Sequence, residues 1–436
     1  MRVLRILLTF VFILASSTAA AINIIRDAEI EEILKGMAKS IFKVAGLRSE
    51  SAKVYVIKSE TINAFTIGNG YIFLSSGLLL RFRNPLHVLG ILCHETGHLA
   101  GGHIPRRIGI MQQRSQNFLW AMLAGILGTV VTGSEEALAL MLGYAITDER
   151  FYLRYSRGEE LAADASAAAY LEKLGFGADI LIEAFDIFQR MDILNGEINL
   201  PIYISTHPKI CDRISALQKR AKSKTYKAPT ELAEQYDRVL IKLEAYLKKH
   251  SIGMTVPNDN YSKAIYFHRI GRSKDAIDIL KKLLKTNPTD IFYQETLAQT
   301  FYEAGQLDES IKIYEKIYNK NINVLIRIDY ANVLIETNKN IELAISILES
   351  AKYEDYFNSD IYRLLAKGYG KQKKEGLSML LLAQEQMLLG NHMRANELLV
   401  CCLEKLNRKT ESAQVKKAKY FKELLERDYK EYLRSD

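Results

Sequence analysis

Two histidines four residues apart, with a glutamate directly after the first, are the residues of this chain whose types and spacing could do chemistry. His94, Glu95 and His98 form a His-Glu-x-x-His motif inside the apolar stretch 85–102. On a helix, residues four apart lie on one face, so both imidazoles can bind one metal ion. Glu95 then lies beside the open position of the metal, where it can take a proton from a water molecule. The motif predicts a zinc peptidase site with one Zn²⁺ per chain.

A catalytic zinc ion needs a third protein ligand besides two imidazoles and a water molecule. A metzincin would have a histidine in place of Ile104, one residue after His103. A thermolysin-type site would have a glutamate in place of Phe118. Glu160 is the better candidate because it opens an alanine-rich helix that could approach the motif helix closely. Asp164 lies one turn later and is predicted to accept the free N–H of a ligating imidazole. Taken alone, the context of Glu160 fits a solvated glutamate at a helix start equally well.

The order of several short motifs resembles one family of metallopeptidases. The motifs before His-Glu-x-x-His are Asn63-Ala64-Phe65, Gly70-Tyr71-Ile72-Phe73 and Ser76-Gly77-Leu78-Leu79, and Glu-x-x-Ala-Asp follows it from Glu160. Over about residues 25–220, this order resembles the family that contains the CAAX prenyl-protein peptidases and the HtpX heat-shock protease. The resemblance implies that Glu160 is the third zinc ligand. It is strongest to the secreted branch with a C-terminal tetratricopeptide array, which implies protein substrates and the outer-membrane β-barrel assembly machinery as partners.

Ser205-Thr206-His207-Pro208, followed by Arg213-Ile214, resembles another landmark of that family. In the secreted branch, the resemblance implies that a histidine at this position can approach the zinc ion. As a fourth ligand, His207 would displace the water molecule and keep the enzyme latent. As a hydrogen-bond donor in catalysis, it would instead stabilise the intermediate. A turn histidine without either role is the third reading, and the sequence leaves all three open.

The elements that must position these residues can be read from the sequence. We expect an amphipathic helix over 28–44, strands over 53–57, 64–67 and 71–74, and a tight turn between the last two strands. The motif helix should begin at Pro85 and end near Gly101. Substrates of such peptidases bind as an extra strand at a sheet edge. We therefore predict a substrate-binding edge formed by Gly70, Tyr71, Ile72 and Phe73, although a plain structural hairpin fits equally well.

Composition indicates a globular, exported protein. The 436 residues are enough for two or three domains, and 48% hydrophobic with 25% charged residues is ordinary for a chain with a buried core. The net charge of +8 comes from interleaved basic and acidic residues, so we expect no nucleic-acid partner and only peripheral membrane contact. Residues 1–20 combine Arg2 and Arg5 with a short apolar run and small residues. This pattern is typical of a signal peptide and predicts a periplasmic location; an uncleaved anchor is the alternative.

Two further features lie outside the metal motif. In an exported chain, Cys211 could form a disulfide with Cys401 or Cys402, whereas Cys93 should be a buried thiol. Residues 117–146 are apolar, but the uninterrupted run is short for a membrane span. We therefore expect this segment to form a helical cover over the active-site cleft.

After a polar segment at 222–230, the chain repeats itself. Ala264, Gly271 and Ala276 recur 34 residues later as Ala298, Gly305 and Ser310, then as Ala331, Asn338 and Ala344, and again as Ala383, Gly390 and Ala395. This period with small residues at helix crossings is the tetratricopeptide signature. The pattern fits poorly over 353–374, where we expect a degenerate repeat. The predicted fold class is mainly α: a signal peptide (1–20), an α+β zincin-type peptidase domain with a small β-sheet (21–225), and an α-helical tetratricopeptide solenoid (226–436).

Together these features predict an exported zinc endopeptidase that hydrolyses misassembled envelope proteins, with a repeat domain for docking substrates or partners. In this reaction Glu95 would be the general base, and zinc on His94, His98 and Glu160 would activate the water molecule. The alternative is a non-catalytic periplasmic adaptor or chaperone with a latent zinc site. A structural zinc site is normally closed by four ligands and does not need a general base. The presence of Glu95 therefore favours the enzyme.

Overall fold

The protein has a small mixed β-sheet surrounded by helices, followed by a long series of paired helices. The computed structural model describes residues 24–103, 156–195, 207, 210–247, 259–319, 322–356, 358–407 and 411–435. The predicted signal peptide (1–20) and the predicted helical cover (117–146) lie outside the described residues. Within the described part of the chain, no helix combines the length and apolar character that a membrane crossing requires.

The sheet has the strand order β1-β2-β4-β3. Its strands are β1 (Ile24–Ile25), β2 (Lys53–Ile57), β3 (Ala64–Gly68) and β4 (Tyr71–Ser75). β2 and β4 are parallel, and the other two pairs are antiparallel. The predicted tight turn between β3 and β4 is confirmed, because Gly68, Asn69 and Gly70 all have positive φ angles. At Gly70, a Cβ atom would lie only 2.2 Å from the carbonyl oxygen of Ser51, so the turn requires glycine there.

The prediction that β4 is an open edge strand is wrong. β4 pairs with β2 on one side and with β3 on the other. All five of its residues are buried, which suits an uninterrupted apolar run in the interior of a sheet. Gly70, Tyr71, Ile72 and Phe73 therefore do not form an open edge to which a substrate strand could be added. In the described part of the chain, the edge on that side is β3.

Seven helices of the described chain share the core of the first domain with this sheet. They are α1 (Ala28–Ala45), α2 (Ser76–Arg81), α3 (Pro85–Ala100), α4 (Arg157–Lys173), α5 (Asp179–Asn195), α6 (Ile210–Gln218) and α7 (Thr230–Leu247). In α7, the buried Tyr236 hydroxyl donates to the carbonyl oxygens of Leu79 (3.0 Å) and Phe82 (2.8 Å). This core thus includes a helix beyond the predicted boundary at residue 225.

The remaining helices form the repeat array. They are α8 (Asn260–Arg269), α9 (Ser273–Thr286), α10 (Ile291–Glu303), α11 (Leu307–Ile317), α12 (Val324–Glu336), α13 (Ile341–Glu354), α14 (Ser359–Lys371), α15 (Glu375–Leu388), α16 (His392–Lys405) and α17 (Ser412–Ser435). Consecutive helices pack on each other through short connections. The predicted fold class, an α+β domain followed by a helical repeat array, is confirmed.

The repeat expected to be degenerate is a regular helix pair, α14 and α15. In the turns inside the pairs, Gly271, Gly305 and Asn338 have positive φ angles, and Lys373 takes this position in the α14–α15 turn with a φ of 62°. The small-residue crossing is also kept, because Ser378 donates to the carbonyl oxygen of Ala366 at 2.8 Å. The pattern over 353–374 looked broken because lysine occupies a left-handed position that glycine or asparagine usually takes.

The predicted disulfide between Cys211 and Cys401 or Cys402 is wrong. All four cysteines lie in described parts of the chain, and all four are free thiols. Cys402 is buried in the core of the last repeats, so its sulfur faces packed side chains. Cys93 is fully buried beside the metal motif, as predicted, and burial raises the pKa of its thiol.

Candidate metal centre

Helix α3 carries the His-Glu-x-x-His residues through the interior of the first domain. The Asn84 side chain accepts a hydrogen bond from the Leu86 N–H at 3.0 Å, and Pro85 occupies the first helical position, so the sequence fixes where α3 begins. Every residue from Val88 to His98 is buried. A helix that is buried on all sides must pair its polar side chains with each other or with a ligand.

Helix α4 brings a carboxylate to this buried face. A capping box between Ser156 and Glu159 fixes its start. The backbones of α3 and α4 touch, because a Cβ atom on Gly97 would lie 2.8 Å from the carbonyl oxygen of Ala163. The small residues therefore allow the close approach that was predicted. Glu160 and Asp164 are almost completely buried as a result, which excludes the reading of Glu160 as a solvated helix-start glutamate.

His94, His98, Glu160 and His207 converge on one point. One possible ligand atom from each lies within 4.8 Å of the others. The Nε2 atom of His94 lies 3.1 Å from Nε2 of His98 and 3.3 Å from Nδ1 of His207. The Glu160 carboxylate lies 3.4 Å from His98 Nε2, 3.6 Å from His94 Nε2 and 3.0 Å from His207 Nδ1. Ligand atoms around a tetrahedral zinc ion are about 3.4 Å apart for bonds of about 2.05 Å, so these residues fit zinc.

Glu95 faces the same cluster from α3. Both of its carboxylate oxygens are buried and have no hydrogen-bond partner among the described residues. The nearest charged partner is His207, whose Nε2 atom lies 3.6 Å from Oε1 of Glu95. Burial raises the pKa of Glu95, and the nearby histidines oppose this only in part. An otherwise unpaired buried carboxyl group beside a metal cluster is suited to exchange protons with a substrate.

The shell around the cluster contains the predicted Asp164 and a residue whose role the sequence did not reveal. Asp164 Oδ1 lies 2.9 Å from Nδ1 of His94. Arg213 donates to both oxygens of Asp164 at 2.7 Å, and its Nη1 atom lies 2.7 Å from the Glu160 carboxylate. Its guanidinium also stacks on the ring of Phe185, with Cζ 4.2 Å from the centroid. Arg213 was visible in the sequence only as part of a family landmark.

Arg213 also explains why its partners Glu160 and Asp164 are negatively charged. Burial by itself would raise the pKa of Glu160 and of Asp164. The positive charges of His207 and Arg213 outweigh burial at Glu160 and hold its pKa well below the usual range. Arg213 does the same for the pKa of Asp164. Both side chains are thus carboxylates, the form that binds metal ions and accepts hydrogen bonds from imidazole.

His103 is a second residue that sequence reasoning missed. Its Nδ1 atom lies 2.8 Å from Nδ1 of His98, on the side of that ring away from the cluster. His103 lies one residue short of the position that a metzincin ligand would take, and it contacts His98 instead. Burial lowers the pKa of His98 well below its usual value, so its ring is neutral, as metal binding requires.

His207 is buried inside the cluster, which excludes an exposed turn histidine. Burial would lower the pKa of His207, but the adjacent Glu160 carboxylate outweighs this effect and raises it. Its two ring nitrogens face Glu160 and Glu95. The roles of fourth ligand and hydrogen-bond donor are therefore both within its reach.

Comparisons with known proteins agree with this geometry. Residues 25–221 match the profile of peptidase family M48. A Vibrio cholerae protein that carries the name beta-barrel assembly-enhancing protease is 25% identical over 362 residues, which cover 79% of this chain and 73% of that protein. Protease HtpX of Alcanivorax borkumensis is 27% identical over 218 residues, covering 44% of this chain and 72% of HtpX.

A mitochondrial relative matches over a smaller share of its length. The metalloendopeptidase OMA1 of Homo sapiens is 26% identical over 201 residues, covering 44% of this chain and 37% of OMA1. The chain thus spans little more than a third of that protein. Residues 25–221 thus match an M48 metallopeptidase domain, and the predicted family resemblance, enzyme class and zinc cofactor are confirmed.

Proposed function

We propose that this protein is an exported zinc endopeptidase that cleaves misassembled envelope proteins and uses its repeat domain to dock substrates or partners. The observation that carries the proposal is the buried Glu95 carboxylate facing a cluster of His94, His98 and Glu160. A structural metal site would use the ligands alone, whereas hydrolysis needs a proton acceptor beside them.

His94, His98 and Glu160 hold the metal in this proposal. Held by these residues, zinc would supply the Lewis acidity that polarises the scissile carbonyl group and makes a bound water molecule more acidic. Glu95 accepts the proton of the attacking water and delivers it to the leaving amine nitrogen. Because burial raises the pKa of Glu95, its carboxylate is a stronger base towards the attacking water than an exposed glutamate would be.

The surrounding side chains keep the ligands oriented. Asp164 accepts a hydrogen bond from Nδ1 of His94, which leaves the lone pair of Nε2 directed at the cluster. His103 contacts the corresponding nitrogen of His98. Arg213 binds Asp164 and Glu160 together, so that the two carboxylates of α4 keep one geometry.

The physiological setting rests on the sequence and on a relative. Residues 1–20 have the pattern of a signal peptide, which supports export to the periplasm. The name of the Vibrio cholerae relative refers to β-barrel assembly, and the match covers most of both chains. We therefore take outer-membrane β-barrel proteins and their assembly machinery as the substrates and partners to test.

The test compares wild-type protein with Glu95→Gln. We expect casein hydrolysis and turnover of envelope proteins to fall by about 10²–10⁴-fold, because the general base is lost while the metal ligands remain. Zinc content, measured by mass spectrometry, should stay at one ion per chain. The control is Glu172→Gln, since Glu172 is an exposed residue of α4 that pairs with Arg220. If Glu95→Gln supports normal envelope-protein turnover, the chain acts as an adaptor or chaperone and the enzymatic proposal fails.

A further inference from the structure

A cavity of about 660 Å³ lies where the repeat array faces the first domain. One wall comes mainly from α8, α10 and α12 of the repeats, and the other comes from residues 25–28 and α7. Glu295 and Gln299 lie one turn apart on α10, and Asp329 and Asn332 lie one turn apart on α12. Two carboxylates and two amides of neighbouring helices thus face the same space.

The two carboxylates share a single amide group. The Nε2 atom of Gln299 donates to Oε1 of Glu295 at 3.3 Å and to Oδ2 of Asp329 at 2.9 Å. Glu295 is only 2% exposed, and its Oε2 atom has no hydrogen-bond partner among the described residues. Desolvation raises the pKa of Glu295, and it raises that of Asp329 to about 6. A carboxylate buried in this way is costly unless a positive group joins it.

Four basic side chains line the cavity, and each contacts a group other than Glu295 and Asp329: Arg26, Lys242, His268 and Arg269. His268 lies 3.4 Å from Glu303, and Cζ of Arg269 lies 5.5 Å from the centroid of the Tyr246 ring. Lys242 lies 2.9 Å from Asp27 and 3.2 Å from Glu29, and Arg26 pairs with Glu31 and Asp355. No cation of the described residues forms a salt bridge with Glu295 or Asp329. The cavity therefore has two buried acidic groups that no basic side chain of its described walls pairs with.

A metal ion is a poor match for this pair. Calcium takes six to eight oxygen ligands and magnesium requires a near-octahedral set. Among the described residues, the one group of three or more histidine, cysteine or acidic side chains close enough to share a metal ion is the cluster around His94. An ammonium or guanidinium group needs only a few acceptors, which Glu295 and Asp329 provide.

We propose that the cavity binds a lysine or arginine side chain of an extended polypeptide, with the cationic group between Glu295 and Asp329. The amides of Gln299 and Asn332 lie one turn along each helix, where they can bind the backbone of the same segment. The volume lies within the range of ligand pockets and exceeds what a single ammonium group fills. This inference rests on the proposed docking role of the repeat domain and gives it a chemical specificity for basic segments.

The experiment measures the binding of a short fluorescent peptide of alternating lysine and serine by fluorescence anisotropy. The full-length protein carries Glu95→Gln, so that the peptide is not cleaved. Glu295→Gln and Asp329→Asn remove one charge each at nearly constant shape, and Asp308→Asn removes an exposed charge outside the cavity. We expect each cavity variant to weaken binding by about 10-fold or more, since a charged hydrogen bond is lost. Asp308→Asn should change the affinity by less than about 2-fold, as is usual for exposed charges.

A second arm uses the same peptide with acetylated lysines and does not depend on any cavity variant. The lysine peptide should raise the melting temperature of the full-length protein, and the acetylated peptide should not. Equal binding of the two peptides, no binding of either, or unchanged affinity in the two cavity variants would each overturn the inference. Binding is measured without catalysis, so the two proposals can fail independently. If the protein binds the lysine peptide but the wild type does not hydrolyse casein, the proposed activity is refuted and the proposed binding site remains.

Discussion

Replacing Arg213 with methionine tests whether one buried arginine holds the charges around the metal centre together. The Arg213 side chain is only 1% exposed and contacts the Asp164 and Glu160 carboxylates. Those carboxylates are 2% and 0% exposed, so water cannot solvate them once the guanidinium is gone. Methionine fills a similar volume, so that the substitution removes the charge and the hydrogen bonds without creating a large cavity.

The expected loss of stability is about 3–5 kcal/mol, the cost of removing one partner from a buried ion pair. Arg220 provides a matched comparison because it also reaches from the end of α6 to α4, where it pairs with Glu172 at 3.3 Å. Both partners of that pair are more than a third exposed, at 39% and 36%. Arg220→Met should therefore cost no more than about 1 kcal/mol.

The assay is urea unfolding of the two variants and the wild type, each stripped of metal with a chelator. Without metal, a change in zinc affinity cannot contribute to the measured free energy of unfolding. Adding Asp164→Asn to Arg213→Met should recover part of the loss, because one of the unpaired charges is removed. This double variant also gives a result if Arg213→Met alone does not fold. Equal losses for Arg213→Met and Arg220→Met would refute the reasoning.

Two residues of the metal centre and one of the cavity each give a further prediction. His207→Ala should increase casein hydrolysis, because the Nδ1 atom of His207 lies at ligand spacing from the cluster and would close it; lost activity would instead assign His207 the donor role. His103→Ala should weaken zinc binding by about 10–100-fold in a competition titration with a chelator, since His98 loses the partner that orients its ring; unchanged affinity would contradict this. Asp329→Asn should raise the melting temperature at pH 7 but not at pH 4: its folded pKa of about 6 lies above the unfolded value, so the wild type loses stability as pH rises between the two. An equal effect of Asp329→Asn at both pH values would show that charge is not the cause.

The parts of the site that depend on local sequence could be predicted. The spacing of His94, Glu95 and His98 defines one face of a helix, and Pro85 marks where that helix begins. From its own sequence context, Glu160 fits a zinc ligand and a solvated helix-start residue equally well. The resemblance to a metallopeptidase family favours the ligand. Its burial depends on the contact between Gly97 and Ala163, which are far apart in the chain.

The partners of the ligands could not be predicted, because they come together only in the folded chain. Arg213 meets Asp164 across 49 residues of sequence, and no local pattern reports such a contact. Strand order is non-local in the same way. β2 pairs with β4 in parallel, on the side of β4 away from β3. The residues of the β3–β4 turn predict a hairpin but do not show which other strand pairs with it.

Helix α1 connects the metal centre to the cavity at the repeats. Its N-terminal cap Asp27 accepts the Ile30 N–H at 2.9 Å and also pairs with Lys242 of α7. Glu29, in its first turn, is fully buried and accepts a hydrogen bond from the Tyr261 hydroxyl of α8 at 2.8 Å. Farther along, α1 packs against α3, the helix of the His-Glu-x-x-His motif. Breaking buried ion pairs of this kind is costly, so α1 is firmly bound to both parts of the chain. A segment bound in the cavity would therefore be held at a constant distance from the metal centre, and the length of chain beyond the bound basic residue would decide which peptide bonds reach Glu95.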